Sequence, residues 1–335
     1  MMERYSRQIR FSGIQKSGQE TIQKADVLII GAGALGSAAA ETLVRAGAGS
    51  VTIVDRDYVE SSNLQRQQLY TEKDAADGVP KAAAAALRLK EINSSVEVTG
   101  LVEEITPASE SLFQGRDVII DALDNFETRL VINDFACRFN IPWIYAAVVS
   151  SYGMSFTILP GETPCLRCLL PVLPQGGETC DTAGVIAPAV QMVSAVQSTE
   201  ALKLLSGNNE ALRKTFLHMD IWHGTQQEIG VGRMRRLDCP SCGSTPEYPA
   251  LKHESVTKTA VLCGRDTVQV RPAGQVVFNE ILERLSPFAP KANNHLLQVT
   301  LEGKKVVVFR DGRALIHETS DKVQALSLYQ RYIVS

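Results

Sequence analysis

A glycine-rich segment directly after an apolar run constrains the fold of this chain more than any other feature. Residues 27–30 predict a short buried strand, and residues 51–54 predict a second one that ends at Asp55. Between them, a G-x-G-x-x-G sequence opens an alanine-rich helix, and its glycines are Gly31, Gly33 and Gly36. A strand, a helix and a strand within about thirty residues predict a β-α-β unit that binds a nucleotide.

The chain continues to alternate between strand and helix patterns. Further strands are predicted at residues 96–98, 118–121, 141–149 and 153–159. Helices are predicted at residues 81–92, 127–139 and 186–205. This alternation predicts the α/β class, namely a Rossmann-like, doubly wound and mostly parallel sheet with helices on both faces. Two more strands, at residues 216–220 and 230–235, are expected beyond the last helix.

Composition excludes several classes of protein. The 335 residues carry a net charge of −3 and are 44% hydrophobic, which is typical of a globular protein and gives no support for nucleic-acid binding. No apolar run approaches the roughly eighteen residues that a membrane span requires. The first residues have no apolar segment behind their charges, so no signal peptide is expected. A cytoplasmic protein without a membrane partner is the resulting expectation.

Two pairs of cysteines, each a C-x-x-C step, predict a metal site. A cytosolic chain uses cysteines for metal or thiol chemistry more often than for disulfides. Four thiolates are the ligand set of a closed structural Zn²⁺ site. The expected ligands are Cys165, Cys168, Cys239 and Cys242. We therefore expect a zinc knuckle split between two distant segments, with a long loop after the first pair.

The glycine segment by itself favours an NAD-dependent oxidoreductase. Its backbone N–H groups and the start of the following helix suit phosphate oxygens. Asp55 stands where a carboxylate accepts hydrogen bonds from ribose hydroxyls, and Asp57 is expected to share that role.

Several polar residues shift this interpretation towards a triphosphate. Attack on an α-phosphate requires cations that offset developing charge and a carboxylate that holds Mg²⁺. Arg66, Lys81 and Asp124 meet that demand, and Asn63 and Gln67 flank the arginine. Each cation or acid also has a plain structural interpretation. Lys81 would be a solvated lysine at a helix start, Arg66 a surface ion-pair residue and Asp124 the N-cap of the next helix.

Together these segments resemble the MoeB/ThiF/HesA family, the bacterial relatives of ubiquitin-activating enzymes. The resemblance spans about residues 4–243 and is carried by Arg4-Tyr5-Ser6-Arg7-Gln8-Ile9, the glycine segment, Asp55, Ser62-Asn63-Leu64-Gln65-Arg66-Gln67, Pro80-Lys81 and residues 121–125. It implies an ATP-dependent adenylyltransferase. The implied substrate is the C-terminal glycine of a ubiquitin-like sulfur carrier of the ThiS or MoaD kind, in thiamine or molybdenum cofactor biosynthesis. A persulfide donor such as a cysteine desulfurase would then supply sulfur for a thiocarboxylate.

The resemblance also implies roles for residues. Asp55 matches the ribose-binding acid, Asp124 the acid that helps hold Mg²⁺, and Asn63 and Gln67 polar groups of the ATP site. Arg66 and Lys81 match phosphate-binding cations. Arg7 matches an arginine that reaches the neighbouring subunit's active site, which implies a homodimer. Cys180 matches a loop cysteine that bonds covalently to the carrier in some members.

The last eighty or so residues are expected to form a separate unit. Pro246 and Pro249 interrupt the pattern, so we predict an adenylation domain at residues 1–248 and a small α+β domain at residues 255–335. Cys263 lies at the start of this second domain, which argues against a rhodanese. Two alternatives remain for the whole chain: an NAD-dependent oxidoreductase, and a scaffold that binds nucleotide without catalysis.

Overall fold

The structure, a computed structural model, describes residues 3–170, 180–252, 258–261, 266–272 and 276–334. It separates into two compact units, residues 1–253 and residues 254–335. Within the described residues, no helix combines the length and apolar character needed to cross a membrane.

The first unit is built on one eight-stranded sheet. Its strands are β1 (Asp26–Ile30), β2 (Ser50–Val54), β3 (Glu97–Leu101), β4 (Val118–Asp121), β5 (Trp143–Val149), β6 (Tyr152–Ile158), β7 (Thr215–Asp220) and β8 (Thr225–Gly230). The order across the sheet is β3-β2-β1-β4-β5-β6-β7-β8. Pairing is parallel from β3 to β5 and antiparallel from β5 to β8. The mostly parallel α/β prediction is confirmed.

Helices cover both faces of the parallel strands. They are α1 (Ser6–Ile9), α2 (Gln15–Ile22), α3 (Ala34–Ala46), α4 (Glu72–Asp77), α5 (Lys81–Ile92), α6 (Phe126–Phe139), α7 (Leu166–Leu169), α8 (Cys180–Ala183) and α9 (Ala187–Leu205). Alternate residues of β1 face opposite cores because strand side chains alternate. Val27 and Ile29 pack with side chains of α3, α5 and α9, whereas Leu28 and Ile30 pack with those of α6.

The antiparallel end of the sheet departs from the prediction at one strand. Residues 230–235 were expected to be extended, but the strand is Thr225–Gly230, and Gly232–Met234 forms a 3₁₀ turn. All six residues of β8 are exposed, so the strand has no buried face and no alternating pattern. Its pairing with β7 is what defines it.

Where the structure describes it, the second unit is an antiparallel sheet with two helices. Its strands are β9 (Lys258–Val261), β10 (Thr267–Arg271), β11 (Lys291–Ala292), β12 (Leu296–Leu301), β13 (Lys304–Phe309) and β14 (Ala314–His317), in the order β11-β12-β13-β14-β10-β9. The helices are α10 (Phe278–Leu285) and α11 (Lys322–Tyr329). Strands β12 and β13 form a hairpin that turns at Glu302 and Gly303, with φ of 49° and 79°. Cys263 lies outside the described residues.

Candidate nucleotide site and metal centre

The glycine loop connects β1 to α3 at the carboxyl end of the sheet. Gly31 has φ of 97°, and a Cβ there would lie 2.5 Å from the Ala122 carbonyl oxygen. A Cβ on Gly36 would lie 1.8 Å from the Gly31 carbonyl oxygen. Gly33 is half-exposed and precedes α3, and a Cβ on it would meet only the Gln67 amide, at 4.0 Å. The loop is therefore closed on its protein side and open at the helix N-terminus, where anions bind.

Asp55 anchors this loop from the end of β2. Its Oδ2 accepts a hydrogen bond of 2.6 Å from the Ala32 N–H, and its Oδ1 accepts one of 2.6 Å from the Asp57 N–H. Burial raises the pKa of the Asp55 carboxyl, and the positive charge of Lys81 opposes that shift. The predicted ribose-binding acid is thus positioned by the backbone beside the loop.

Lys81 is a buried cation next to this acid. It is the first residue of α5, as predicted, and its side chain is 5% exposed. Nζ lies 3.5 Å from Oδ2 of Asp57, and the backbone N–H donates to the Asp57 carbonyl oxygen over 2.9 Å. The interpretation of Lys81 as a solvated lysine at a helix start is wrong. Its charge is instead held beside two carboxyl groups at the carboxyl end of the sheet.

The segment with Asn63, Arg66 and Gln67 supplies polar groups of different accessibility. Asn63 is fully buried, and its Oδ1 accepts from the Glu60 N–H over 3.1 Å, which holds a 3₁₀ turn. Arg66 is half-buried, and Nη1 donates to the Ser62 carbonyl oxygen over 2.9 Å. Gln67 is buried beside Gly33, and no described residue donates a hydrogen bond to its Oε1. A buried acceptor without a donor, next to the loop, fits a site that takes a ligand.

At the end of β4 a buried ion pair shapes the turn that carries Asp124. Asp121 is fully buried, and its Oδ2 accepts from Nε of Arg129 over 2.9 Å. Nη2 of Arg129 donates to the carbonyl oxygen of Leu123 over 2.6 Å. Burial raises the pKa of Asp121, against the opposing charge of Arg129. Sequence reasoning missed Arg129, because nothing in a lone helical arginine signals a partner eight residues earlier.

Asp124 itself is exposed and does not cap the following helix. The N-cap of α6 is Asn125, whose Oδ1 accepts from the Thr128 N–H over 2.9 Å. The interpretation of Asp124 as the N-cap is therefore wrong. Its carboxylate is left facing solvent at the carboxyl end of β4, where open α/β sheets bind their ligands.

Arg7 is not brought to this cleft within one chain. Tyr5 packs so closely on Gly47 that a Cβ there would lie 2.5 Å from its ring, and Gln8 donates to the Ala46 carbonyl oxygen over 3.0 Å. Both contacts fix α1 at the C-terminal end of α3. That helix has 13 residues and spans about 20 Å from the glycine loop. Arg7 is exposed at this far end, beyond the reach of its own chain's cleft.

Cys180 begins the short helix α8, and its side chain lies outside the described residues, as does the segment 171–179. The backbone just beyond it is fixed at the end of β5. The Ser150 N–H donates to the Gly184 carbonyl oxygen over 2.8 Å, and the Ile186 N–H donates to the Ser150 carbonyl oxygen over 3.1 Å.

The four predicted metal ligands converge, although about seventy residues separate the two pairs. Their Sγ atoms all lie within 4.8 Å of one another. The distances are 3.9 Å for Cys165–Cys168, 3.7 Å for Cys165–Cys239 and 3.6 Å for Cys168–Cys242. A tetrahedral ion with sulfur ligands at about 2.3 Å requires sulfurs about 3.8 Å apart. The cluster therefore has the spacing of a closed four-sulfur metal site.

A buried polar network beneath the cluster connects both cysteine pairs to α6, and no sequence pattern predicted it. Asp134 is fully buried, accepts from the Ser241 hydroxyl over 2.5 Å and accepts from the Ala250 N–H over 2.8 Å. Asn133 accepts from the Leu166 N–H over 2.8 Å. Arg167 donates to the Ser241 hydroxyl over 2.9 Å. Both cysteine segments are thus fixed to one helix.

Fold and site together define an α/β domain with a glycine-rich loop of the nucleotide-binding kind and a four-cysteine cluster that could hold a metal ion. The comparisons with known proteins identify the family. The model of the ThiF family matches residues 5–241. The sulfur carrier protein ThiS adenylyltransferase of Bacillus subtilis is 51% identical over 343 residues, which is 99% of this chain and 100% of that protein. The molybdopterin-synthase adenylyltransferase of Escherichia coli is 34% identical over 245 residues, 72% of this chain and 96% of that protein. The chain belongs to the ThiF family.

A solved structure has the same fold. The crystal structure of E. coli MccB with MccA-N7isoASN superposes with a TM-score of 0.64 at 22% identity, over 73% of this chain and 75% of that one. The likeness supports the fold.

Proposed function

We propose that this chain is an ATP-dependent adenylyltransferase that activates the C-terminal glycine of a ThiS-type sulfur carrier. One observation carries the choice of carrier. The similarity to the B. subtilis ThiS adenylyltransferase covers 99% of this chain and so includes the second unit. The molybdopterin-synthase adenylyltransferase of E. coli matches only 72% of the chain. A MoaD-type carrier is therefore the second candidate.

The cleft supports attack of a carboxylate on the α-phosphorus of ATP. A carboxylate is already a nucleophile, so the protein has to orient the two substrates and stabilise charge, and no proton transfer is required. Lys81 and Arg66 supply the positive charge that offsets the leaving pyrophosphate. Asp55 and Asp57 face the ribose, and the loop from Gly31 to Gly36 receives phosphate oxygens. Asn63 and Gln67 complete the polar lining, with Asn63 acting through the turn that it holds.

Two metals belong to this proposal. Asp124 would hold Mg²⁺, which neutralises phosphate charge when bound. Its exposed carboxylate fits that role, since it is not used as a helix cap. Cys165, Cys168, Cys239 and Cys242 would hold Zn²⁺ in a structural role, because four thiolates leave no open position for a water ligand.

A second copy of the chain is required to complete the cleft. Arg7 lies at the opposite end of α3 from the glycine loop, so it serves a partner's site in a homodimer. Mixing Arg7→Ala protein with Lys81→Met protein tests this. Random subunit exchange makes half of the dimers hybrid, and each hybrid carries one intact cleft out of two, so the mixture should regain about a quarter of wild-type activity. No recovery after subunit exchange would exclude the shared site.

After adenylation, the terminal sulfur of a persulfide donor such as a cysteine desulfurase would attack the acyl-adenylate and displace AMP. A thiol would then reduce the resulting acyl disulfide, which releases the thiocarboxylate and leaves a disulfide on the two thiols. Cys180 is proposed as the thiol that the carrier meets near the end of β5. The division into an adenylation domain at 1–248 and a C-terminal domain at 255–335, which contacts the carrier or the partner subunit, is part of the proposal. A cytoplasmic location is also part of the proposal, because cysteine thiolates stay reduced there.

The deciding experiment is ATP–pyrophosphate exchange with purified carriers. A ThiS-type carrier should support exchange, the same carrier without its final glycine should not, and a MoaD-type carrier should be weaker. Strong exchange with MoaD alone would reassign the carrier. ATP binding without exchange by either carrier would leave a nucleotide-binding scaffold, and tight NADH binding without ATP binding would indicate an oxidoreductase.

A further inference from the structure

Tyr70 is a buried tyrosine whose hydroxyl reaches two parts of the nucleotide cleft. It is 7% exposed. Its Oη donates to the Ala32 carbonyl oxygen over 2.6 Å and lies 3.3 Å from the Lys81 carbonyl oxygen. Ala32 belongs to the glycine loop, and Lys81 is the buried cation at the start of α5. One hydroxyl group therefore connects the loop to the first residue of the helix that carries the lysine.

The hydrogen bond to Ala32 has a consequence for the neighbouring peptide group. A trans peptide is planar, so the carbonyl of Ala32 and the N–H of Gly33 point in opposite directions. Since the carbonyl points to Tyr70 on the buried side, the Gly33 N–H points to the half-exposed side of the loop. That is the side on which an anion can approach the start of α3.

Other groups hold the rest of the loop, so the peptide between Ala32 and Gly33 is the one that Tyr70 orients. The Gly31 N–H donates to the Val54 carbonyl oxygen over 2.8 Å, and the Ala32 N–H donates to Asp55. The Gly33 carbonyl oxygen accepts from the Ser37 N–H over 3.0 Å. Without the Tyr70 hydroxyl, the buried Ala32 carbonyl oxygen would lose its donor, which costs free energy. Rotation of the peptide between Ala32 and Gly33 would relieve that cost and turn the Gly33 N–H away from the open side of the loop.

We propose that Tyr70 is a positioning residue that presents the Gly33 N–H to a phosphate group of ATP and fixes the backbone of Lys81 relative to it. This rests on the proposed function only in taking ATP as the ligand. The hydroxyl keeps its proton at neutral pH, because burial and the charge of Asp55 raise its pKa well above the ordinary value. It therefore remains a donor throughout the working range.

The test compares Tyr70→Phe with Tyr329→Phe. Tyr329 is a matched control, since it is 1% exposed and donates a similar hydrogen bond of 2.7 Å to the Gly312 carbonyl oxygen in the second unit. The affinity for ATP is measured by calorimetry, and the affinity for adenosine by competition, because adenosine has no phosphate. Melting temperature is recorded for all three proteins.

Tyr70→Phe should weaken ATP binding about tenfold, as expected for one misdirected hydrogen bond to a charged group. Adenosine affinity should change less than about twofold. Tyr329→Phe should lower the melting temperature about as much as Tyr70→Phe does, and it should leave the affinities for ATP and adenosine unchanged. Equal losses for ATP and adenosine, or no loss for either, would overturn the role of Tyr70. If the wild-type protein showed no pyrophosphate exchange with any carrier, the proposed function would be overturned. The comparison of ATP and adenosine affinities would still test the role of Tyr70.

Discussion

The two sites differ in how complete they are within one chain. In the cysteine cluster, all four sulfurs lie within 4.8 Å of one another, three of the pairs are 3.6 to 3.9 Å apart, and a buried network fixes both segments. The nucleotide cleft is less complete. Arg66 donates to the Ser62 carbonyl oxygen and Asp124 faces solvent, whereas Arg7 lies outside the cleft, at the far end of α3. A structural site is preassembled because its metal stabilises the fold, whereas a catalytic site gains its last interactions only with substrates and a partner.

The largest expected effect is that of metal removal. Chelation of Zn²⁺, or Cys165→Ser, should lower the melting temperature by more than about 10 °C, because binding energy of a structural metal is folding energy. Added Zn²⁺ should restore the chelated protein, whereas Mg²⁺ should not. Metal analysis that finds far less than one zinc per freshly purified chain would contradict the preassembled site.

The next effect concerns the cleft alone. Lys81→Met should reduce pyrophosphate exchange about a hundredfold, since it removes one charge that stabilises the transition state. Zinc content should be unchanged. Lys90→Met is the matched control, because Lys90 is exposed on the same helix, and it should retain full activity. Full exchange by the Lys81 variant would remove this residue from the mechanism.

Asp134 separates stability from catalysis. Asp134→Asn should lower the free energy of unfolding by about 3 kcal/mol, because a buried carboxylate with several donors becomes a mismatched amide. Exchange activity per folded molecule should stay near the wild-type value. Glu127→Gln, an exposed change on the same helix, is the control and should alter neither quantity. A large loss of exchange without a stability change would show that the two sites are coupled.

The sequence predicted local features well and distant contacts poorly. Strand β4 and helix α5 have the predicted bounds, since apolar runs and a helix start are local signals. The four cysteines were identified because C-x-x-C spacing is diagnostic of metal ligands. Strand β8 was misplaced because an exposed edge strand has no hydrophobic pattern.

The contacts of Asp134 and Tyr70 could not be predicted. Asp134 meets Ser241 across 107 positions of sequence, and Tyr70 meets Ala32 across 38. A buried tyrosine or aspartate has the same appearance in a sequence whatever its partner, so only the fold identifies these residues as supports of the two sites.

The smallest expected effect tests the turn after β4, where a stability residue and a functional residue are neighbours. Asn125→Ala should lower the free energy of unfolding by about 1 kcal/mol, the usual cost of a lost N-cap. Asn125→Asp should keep the cap and the stability. Asp124→Ala should leave unfolding unchanged while reducing exchange, because its carboxylate accepts no cap hydrogen bond and is proposed to hold Mg²⁺. If thermal denaturation showed the reverse, with Asp124→Ala destabilising and Asn125→Ala neutral, the cap would belong to Asp124 and its exposed carboxylate would lose its proposed role.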